Sequence, residues 1–489
     1  MNPLLHKLEQ STTNPLRAAV GPMRSPGQLL QALINEPITP ENVAQVPLAQ
    51  RIALVDAFKT IFVPTEATLE IAIALQAMLY EGLDRRDPRL KNNRRFILDS
   101  AALKGQAFAD VEPFPAEDST ALGLTIEGIT GLGKSMVVER FLNLFPQVVG
   151  HGDDAACGWC ALKQLVWLRV HLPSDGTRGG FLTAAFLELD RALGTGYAEQ
   201  YARWTVERKL VIFLHLLSLH RCGLLVIEEA QDKALGELAP FADEFLTFFL
   251  RLLNYGVPTV LIGNPLAFVR LNRFSQNTSR FAEGGSFRLE PVMDPASDDW
   301  SSLWIPRLWK PTLLDEPDED YRAVSDHPLD KTLEGFVWRR TAGIPRLVAR
   351  LRREVQTRAL MLGLSRVTAP LVDHVFHSSE KFTKEHPLID AFVRKDAHAL
   401  EAWRDIPSAD YQKRWPAQEC SSADHPPPPV VTSASPGREG GTAVRKRSAR
   451  KNSRSAPARD RTAITPEDVR SQEFRRKLAA ELTDHVAGT

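Results

Sequence analysis

Apolar residues recur at helical spacing across residues 50–82: Ile52, Leu54, Val55, Phe58 and Ile61 before Val63-Pro64-Thr65, then Leu69, Ile71, Ala74, Leu75, Met78 and Leu79 after it. Proline holds the residue before it in extended backbone, so the pattern predicts two helices with a break between them. Short apolar runs follow at residues 122–127, 165–172, 224–227 and 259–262, with helical periodicity between them at 136–142, 182–193, 201–219 and 241–253. Continuous apolar runs suit strands buried on both faces, and their alternation with helices predicts an α/β core with a parallel sheet flanked by helices.

The flanks read differently. Residues 1–50 predict a helical appendage, with Thr39 as N-cap before Pro40 and Glu41, and the core is assigned to 51–290. After Pro291 comes a Pro-punctuated stretch with Trp300, Trp304 and Trp309, then a helical block at 332–377; together, 291–400 predicts a connection and a small α-helical lid. Residues 401–489 form a C-terminal extension. From Ser421 it is rich in Pro, Ser and Arg, with eight Lys/Arg against one Asp between Arg445 and Arg461, too little apolar surface to fold. This predicts a disordered basic linker, closed by a short helix capped by Thr465 and running through Phe474 and Leu478 to Leu482.

At 489 residues the chain is long enough for two or three folded units. Sixty Lys+Arg balance sixty Asp+Glu, which argues against whole-chain attraction to nucleic acid, so any DNA contact falls to local patches. Four cysteines make no disulfide framework and suit a reducing cytosol. No signal-peptide pattern opens the chain and no run approaches the roughly 20 apolar residues a membrane span needs, so the expected location is cytoplasmic, with no membrane partner.

Gly128-Ile129-Thr130-Gly131-Leu132-Gly133-Lys134-Ser135 fits the P-loop pattern G-x-x-x-x-G-K-[ST] at every fixed position, with a strand before it and a helix after it. That context turns consecutive backbone N–H groups and the positive helix end toward phosphates. Gly128, Thr130, Gly131 and Gly133 are the expected cradle of ATP, with Lys134 on the β/γ-phosphates and the Ser135 hydroxyl on Mg²⁺. The bland account of the same octet is a glycine-rich turn with a surface lysine.

Residues 224–229 form an apolar strand ending in Glu228 and Glu229, as expected of a Walker B element: Glu228 as a second Mg²⁺ ligand, standing where aspartate is usual, and Glu229 as the water-orienting base. Asn264 ends the run at 259–262 and is a candidate polar sensor, with a turn-forming role as the alternative. Arg280 is the candidate arginine finger, rivalled by Arg288 and Arg273. Arg346, in Gly343-Ile344-Pro345-Arg346, opens the lid helix and is placed to reach phosphate oxygens.

P-loop, acidic strand, polar strand end and Gly-x-Pro-Arg helix, in this order, resemble the AAA+ ATPases. More specifically, Leu165-Val166-Trp167-Leu168-Arg169-Val170, followed by Pro173-Ser174-Asp175-Gly176-Thr177 and Leu189-Asp190-Arg191-Ala192-Leu193-Gly194-Thr195, looks like the transposition ATPases of the TnsC/TniB family, as does Leu225-Val226-Ile227-Glu228-Glu229-Ala230-Gln231. The likeness covers residues 50–375. It implies an ATP-bound homo-oligomer that winds around double-stranded DNA, recruits and activates a separate transposase, and works with a target-selection protein of TniQ/TnsD type. It also implies a DNA-contacting β-hairpin between the P-loop and the second strand. Here that segment is 151–163, with Lys163, Arg169 and Arg178 as candidate phosphate partners.

Cys157-Gly158-Trp159-Cys160 departs from the family pattern. It reads as a hairpin tip, or as a Zn²⁺ site with His151 and His171. The basic tail reads either as added DNA affinity or as a solvated tether, and the last helix as a peptide docking on transposase. The competing function is an AAA+/STAND-type nucleotide-switched signalling scaffold that binds no DNA.

Overall fold

The computed structural model describes residues 14–37, 39–102, 121–173, 177–230, 248–268, 280–281, 283–309, 313–314, 324–403 and 405–415. All of the described residues fall within one compact unit, bounded by Met1–Glu419. The basic linker and the helix expected from Thr465 lie outside the described residues.

Five strands build the central sheet: β1 (Gly123–Glu127), β4 (Trp167–His171), β5 (Leu224–Ala230), β6 (Thr259–Gly263) and β7 (Ser286–Arg288), in the order β4-β5-β6-β1-β7. Every neighbouring pair is parallel. A separate antiparallel pair, β2 (Val148–His151) and β3 (Leu162–Leu165), makes a hairpin with Val148 opposite Leu165.

Strand alternation divides the apolar residues between two cores. Leu224 and Val226 of β5 pack on one face with Leu124, Ile126, Val260 and Ile262, while Leu225 and Ile227 pack on the other with Leu168, Val170 and Leu261. The first face is covered by α1 (Glu66–Arg85) and α2 (Lys134–Leu142), the second by α3 (Arg178–Leu193) and α4 (Val206–Leu219). Each fully buried Leu, Ile, Val or Phe contributes about 1.5–3 kcal/mol. Thr65, just after the predicted break, starts α1 through a reciprocal capping bond with Thr68.

Local signals failed at two places. The run at 165–172 is not one strand: Leu165 ends β3 in the hairpin, and β4 begins two residues later, after Val166 N donates to Gln147 O. No helix starts at Thr39. Only a 3₁₀ turn forms at Val43–Gln45, and the helix Leu48–Asp56 begins after Pro47, which holds Val46 at ψ 130°. The N-terminal residues join the core rather than standing off it: Leu16, Leu29 and Leu33 are fully buried, and Asn14 Nδ2 donates to Leu83 O.

The block at 332–377 resolves into α5 (Leu333–Thr341), α6 (Pro345–Met361) and α7 (Ala369–Ser378), followed by α8 (His386–Arg394). Between α5 and α6 the chain turns through left-handed Ala342 and Gly343. Under this lid, Asp299–Trp309 forms a wide π-type helix that buries Trp300 and Trp309. Residues 405–415, assigned from sequence to the C-terminal extension, fold back onto the sheet: Ile406 and Tyr411 are buried and Arg288 of β7 pairs with Asp410 at 2.9 Å.

Candidate nucleotide site

β1 delivers the chain into the loop and α2 leaves it at Lys134, so the glycines sit between a buried strand and a helix N-terminus. Gly131 and Gly133 take φ of +97° and +90°, a region other residues enter only with strain. Gly131 carries a second constraint, because a Cβ there would lie 2.8 Å from Arg346 Nε. Thr130, Gly131, Gly133, Lys134 and Ser135 line a cavity of about 1570 Å³. That exceeds the roughly 300–1,000 Å³ usual for small-molecule sites.

Lys134 Nζ donates to Gly128 O at 2.7 Å and to Ile129 O at 3.0 Å. Burial lowers the ammonium from 10.5 to about 8, opposed by the carboxylate of Asp405. On the facing wall, Arg346 N donates to Gly131 O at 3.1 Å, and its guanidinium reaches Glu385 at 3.2 Å. Its Nε is buried with no hydrogen-bond partner. Phe62, Val63, Trp304 and Leu308 add apolar surface to the same cavity.

Glu228 is 1% exposed. The β4–β5 register puts it opposite His171, whose Nδ1 lies 3.6 Å from Glu228 Oε2, and Arg169 Nη2 donates to that same oxygen at 2.8 Å. Its other oxygen, Oε1, is buried without a hydrogen-bond partner. Mg²⁺ takes hard oxygen donors and keeps several waters, which the Ser135 hydroxyl on the cavity wall suits, whereas Glu228 is not among the residues lining the cavity. Among the described residues no group of three or more His, Cys, Asp or Glu is placed to hold a metal ion; Cys157 is buried and Cys160 exposed in the segment between β2 and β3. Glu229 belongs to β5, but its side chain lies outside the described residues.

Asn264 lines the cavity with its amide engaged at both ends: Oδ1 accepts from Leu266 N at 3.0 Å and Nδ2 donates to the Asp405 carbonyl. Turn former and cavity wall are thus one residue. Arg280 is exposed, 3.5 Å from Asn254 Oδ1, and outside the cavity lining. Arg288 lines the cavity, and Arg273 lies outside the described residues.

The three candidate phosphate partners are all engaged within the chain. Lys163 Nζ donates to Leu193 O at 2.6 Å and Arg178 Nη1 to Glu207 at 3.1 Å. Arg169 corrects its expectation most: strand register turns it onto Glu228, and its Nη1 reaches Glu139 of α2 at 3.3 Å, so it serves the nucleotide end of the sheet. Sequence reasoning missed Glu139, although it lies one turn beyond Ser135. It also missed Asp405, for which no local signal exists.

An AAA domain family matches residues 117–271. No curated protein matches the chain. Among solved structures, Drosophila ORC bound to DNA aligns over 81% of this chain and 81% of that chain at 13% identity and a TM-score of 0.35. Thermotoga maritima RuvB, a Holliday junction branch migration motor, aligns over 65% of this chain and 82% of that chain at 12% identity and a TM-score of 0.28. At these TM-scores neither likeness bears on function. The octet between β1 and α2, the parallel sheet around it and the family match over residues 117–271 together give this part of the chain the fold of an AAA+ P-loop ATPase.

Proposed function

We propose that the chain is an ATP-dependent regulator of DNA transposition that oligomerises on double-stranded DNA and recruits and activates a separate transposase, in concert with a target-selection protein of TniQ/TnsD type. One observation carries the reading beyond ATPase: the antiparallel hairpin of β2 and β3 stands between the P-loop helix and β4. That is where the resemblance to the TnsC/TniB family puts a DNA-contacting hairpin.

Within this reading the Ser135 hydroxyl and the Glu228 carboxylate would hold Mg²⁺ beside ATP, and the ion would supply charge neutralisation at the phosphates. Lys134 and Arg346 bind the terminal phosphates from opposite walls, Glu229 orients the attacking water and Asn264 fixes its position. Arg280, exposed and outside the cavity, reaches a neighbouring protomer's nucleotide. The DNA backbone meets the hairpin and its surroundings, with Lys163 and Arg178 exchanging their internal acceptors for phosphate oxygens.

The test is electron microscopy of the protein with duplex DNA and a slowly hydrolysed ATP analogue, beside samples lacking either. Rings or filaments on DNA that need the nucleotide, and that Lys134→Ala abolishes, are the expected result. Nucleotide-dependent particles indifferent to DNA would replace this reading with that of a signalling scaffold.

A further inference from the structure

A lid carboxylate grips the arginine that faces the phosphate loop. Arg346 and Arg350 stand one turn apart on α6, and both line the nucleotide cavity. A single oxygen, Glu385 Oε1, accepts from both: from Arg346 Nη2 at 3.2 Å and from Arg350 Nη1 at 3.0 Å. Two guanidiniums at this spacing repel, and the shared carboxylate offsets that repulsion. Glu385 is not itself among the residues lining the cavity, so its contacts reach the cavity through these two side chains.

Packing within the lid fixes the place of Glu385. It immediately precedes α8, its backbone N donates to Phe382 O at 2.7 Å, and its carbonyl accepts from Ile389 N at 2.9 Å. Phe382 and Ile389 are fully buried, and the His386 ring lies against Phe376 of α7 with centroids 4.3 Å apart. On the other side, Arg346 meets the loop. Its backbone N donates to Gly131 O, and its Nε would be the nearest neighbour of a Cβ at Gly131. That Nε is buried with no hydrogen-bond partner. A guanidinium is planar and carries its donors in a fixed fork, so holding Nη2 on Glu385 sets the direction of the Nε edge.

We propose that Glu385 is the positioning residue for Arg346: by holding Nη2 it aims the Nε edge of the guanidinium at phosphates bound on the loop, and so governs turnover more than binding. The proposal rests on the reading of Arg346 as a ligand of the terminal phosphate. Its physical ground is orientation. An arginine released from its carboxylate samples many rotamers, and several of them keep the cation near bound phosphates, which suffices for affinity. Hydrolysis needs the donors at one place when charge develops, and there a misdirected guanidinium is costly.

The test measures ATP turnover at saturation, and affinity for a non-hydrolysable ATP analogue, in variants of the full chain. Glu385→Gln keeps the size and an acceptor oxygen and removes the charge. Its turnover should fall roughly tenfold to a hundredfold while analogue affinity stays within about threefold. Glu385→Asp keeps the charge but withdraws it by one methylene from Arg346, and should be as slow as Glu385→Gln. Arg346→Ala should itself be slow, and adding Glu385→Gln to it should change nothing further.

Parallel losses of turnover and affinity in Glu385→Gln, wild-type turnover in Glu385→Asp, or a full additional loss in the double variant would overturn the proposal. Arg346→Ala separates the two levels of failure. If that variant is slow and Glu385→Gln is not, the positioning role alone falls. If Arg346→Ala binds and hydrolyses as the wild type does, the phosphate role of Arg346 falls and the positioning role with it.

Discussion

On one face of the sheet the apolar core runs from Leu16 to Tyr411, whereas on the other it runs only from Phe96 to Phe281. The shorter core is the product of successive strand-helix units, with α3 and α4 folded over β4, β5 and β6. The longer one gathers the N-terminal residues, α1, the P-loop helix, the lid and residues 405–415 around a single apolar mass. The nucleotide cavity opens within that second set of elements. Its walls are therefore coupled by packing, while the opposite face supports the sheet without touching the cavity.

Matched truncations would break this contrast if it is wrong. Phe181→Ala, in α3 on the short-range face, should cost about 3–5 kcal/mol of stability, and Leu347→Ala, in α6 beside Arg346, about 2–5 kcal/mol. Denaturant unfolding would show both losses. Only Leu347→Ala should also weaken binding of an ATP analogue by the folded protein, and an equal weakening in Phe181→Ala would erase the distinction between the faces.

Gly131→Ala probes the contact between loop and lid. The backbone strain is of order 1–3 kcal/mol, and the added methyl meets the Arg346 side chain. Nucleotide affinity should drop between roughly tenfold and a hundredfold, and combining the change with Arg346→Ala should be less than additive in a double-mutant cycle.

The pH dependence is smaller and has a definite sign. Lys134, at about 8, releases its proton more readily in the folded protein than in the unfolded chain, where 10.5 applies. Between those values the unfolded state binds more protons, so this group makes nucleotide-free stability rise with pH, and the contribution is lost as pH falls through about 8. Polyphosphate restores the charged ammonium. Nucleotide binding should therefore take up a proton and weaken by up to about tenfold per pH unit above pH 8, which calorimetry in buffers of different ionisation enthalpy would detect. Least of all, Arg17→Ala, which removes a partly exposed pair with Asp84 at 2.5 Å, should cost no more than about 1 kcal/mol in thermal unfolding.

What was legible in the chain follows the same division. The phosphate loop could be read because eight consecutive residues contain the whole of its geometry, and the strands because two-faced burial leaves unbroken apolar runs. β7 could not: it is three residues, Ser286–Arg288, with no apolar run to announce it. The pairing of Arg169 with Glu228 depends on strand register across 59 positions, which spacing alone does not contain. Thr39 carried a sound local cap signal, but Pro47 decided where the helix could begin. Asp405 was assigned to an extension outside the core because nothing near it in sequence marks its partner Asn264, just past β6.

The backbone hydrogen bond from Arg346 N to Gly131 O has one more consequence. It ties the middle of the phosphate loop to the first turn of α6, so any outward swing of the lid gives up that bond at a cost of about 0.5–1.5 kcal/mol and registers directly in the loop backbone.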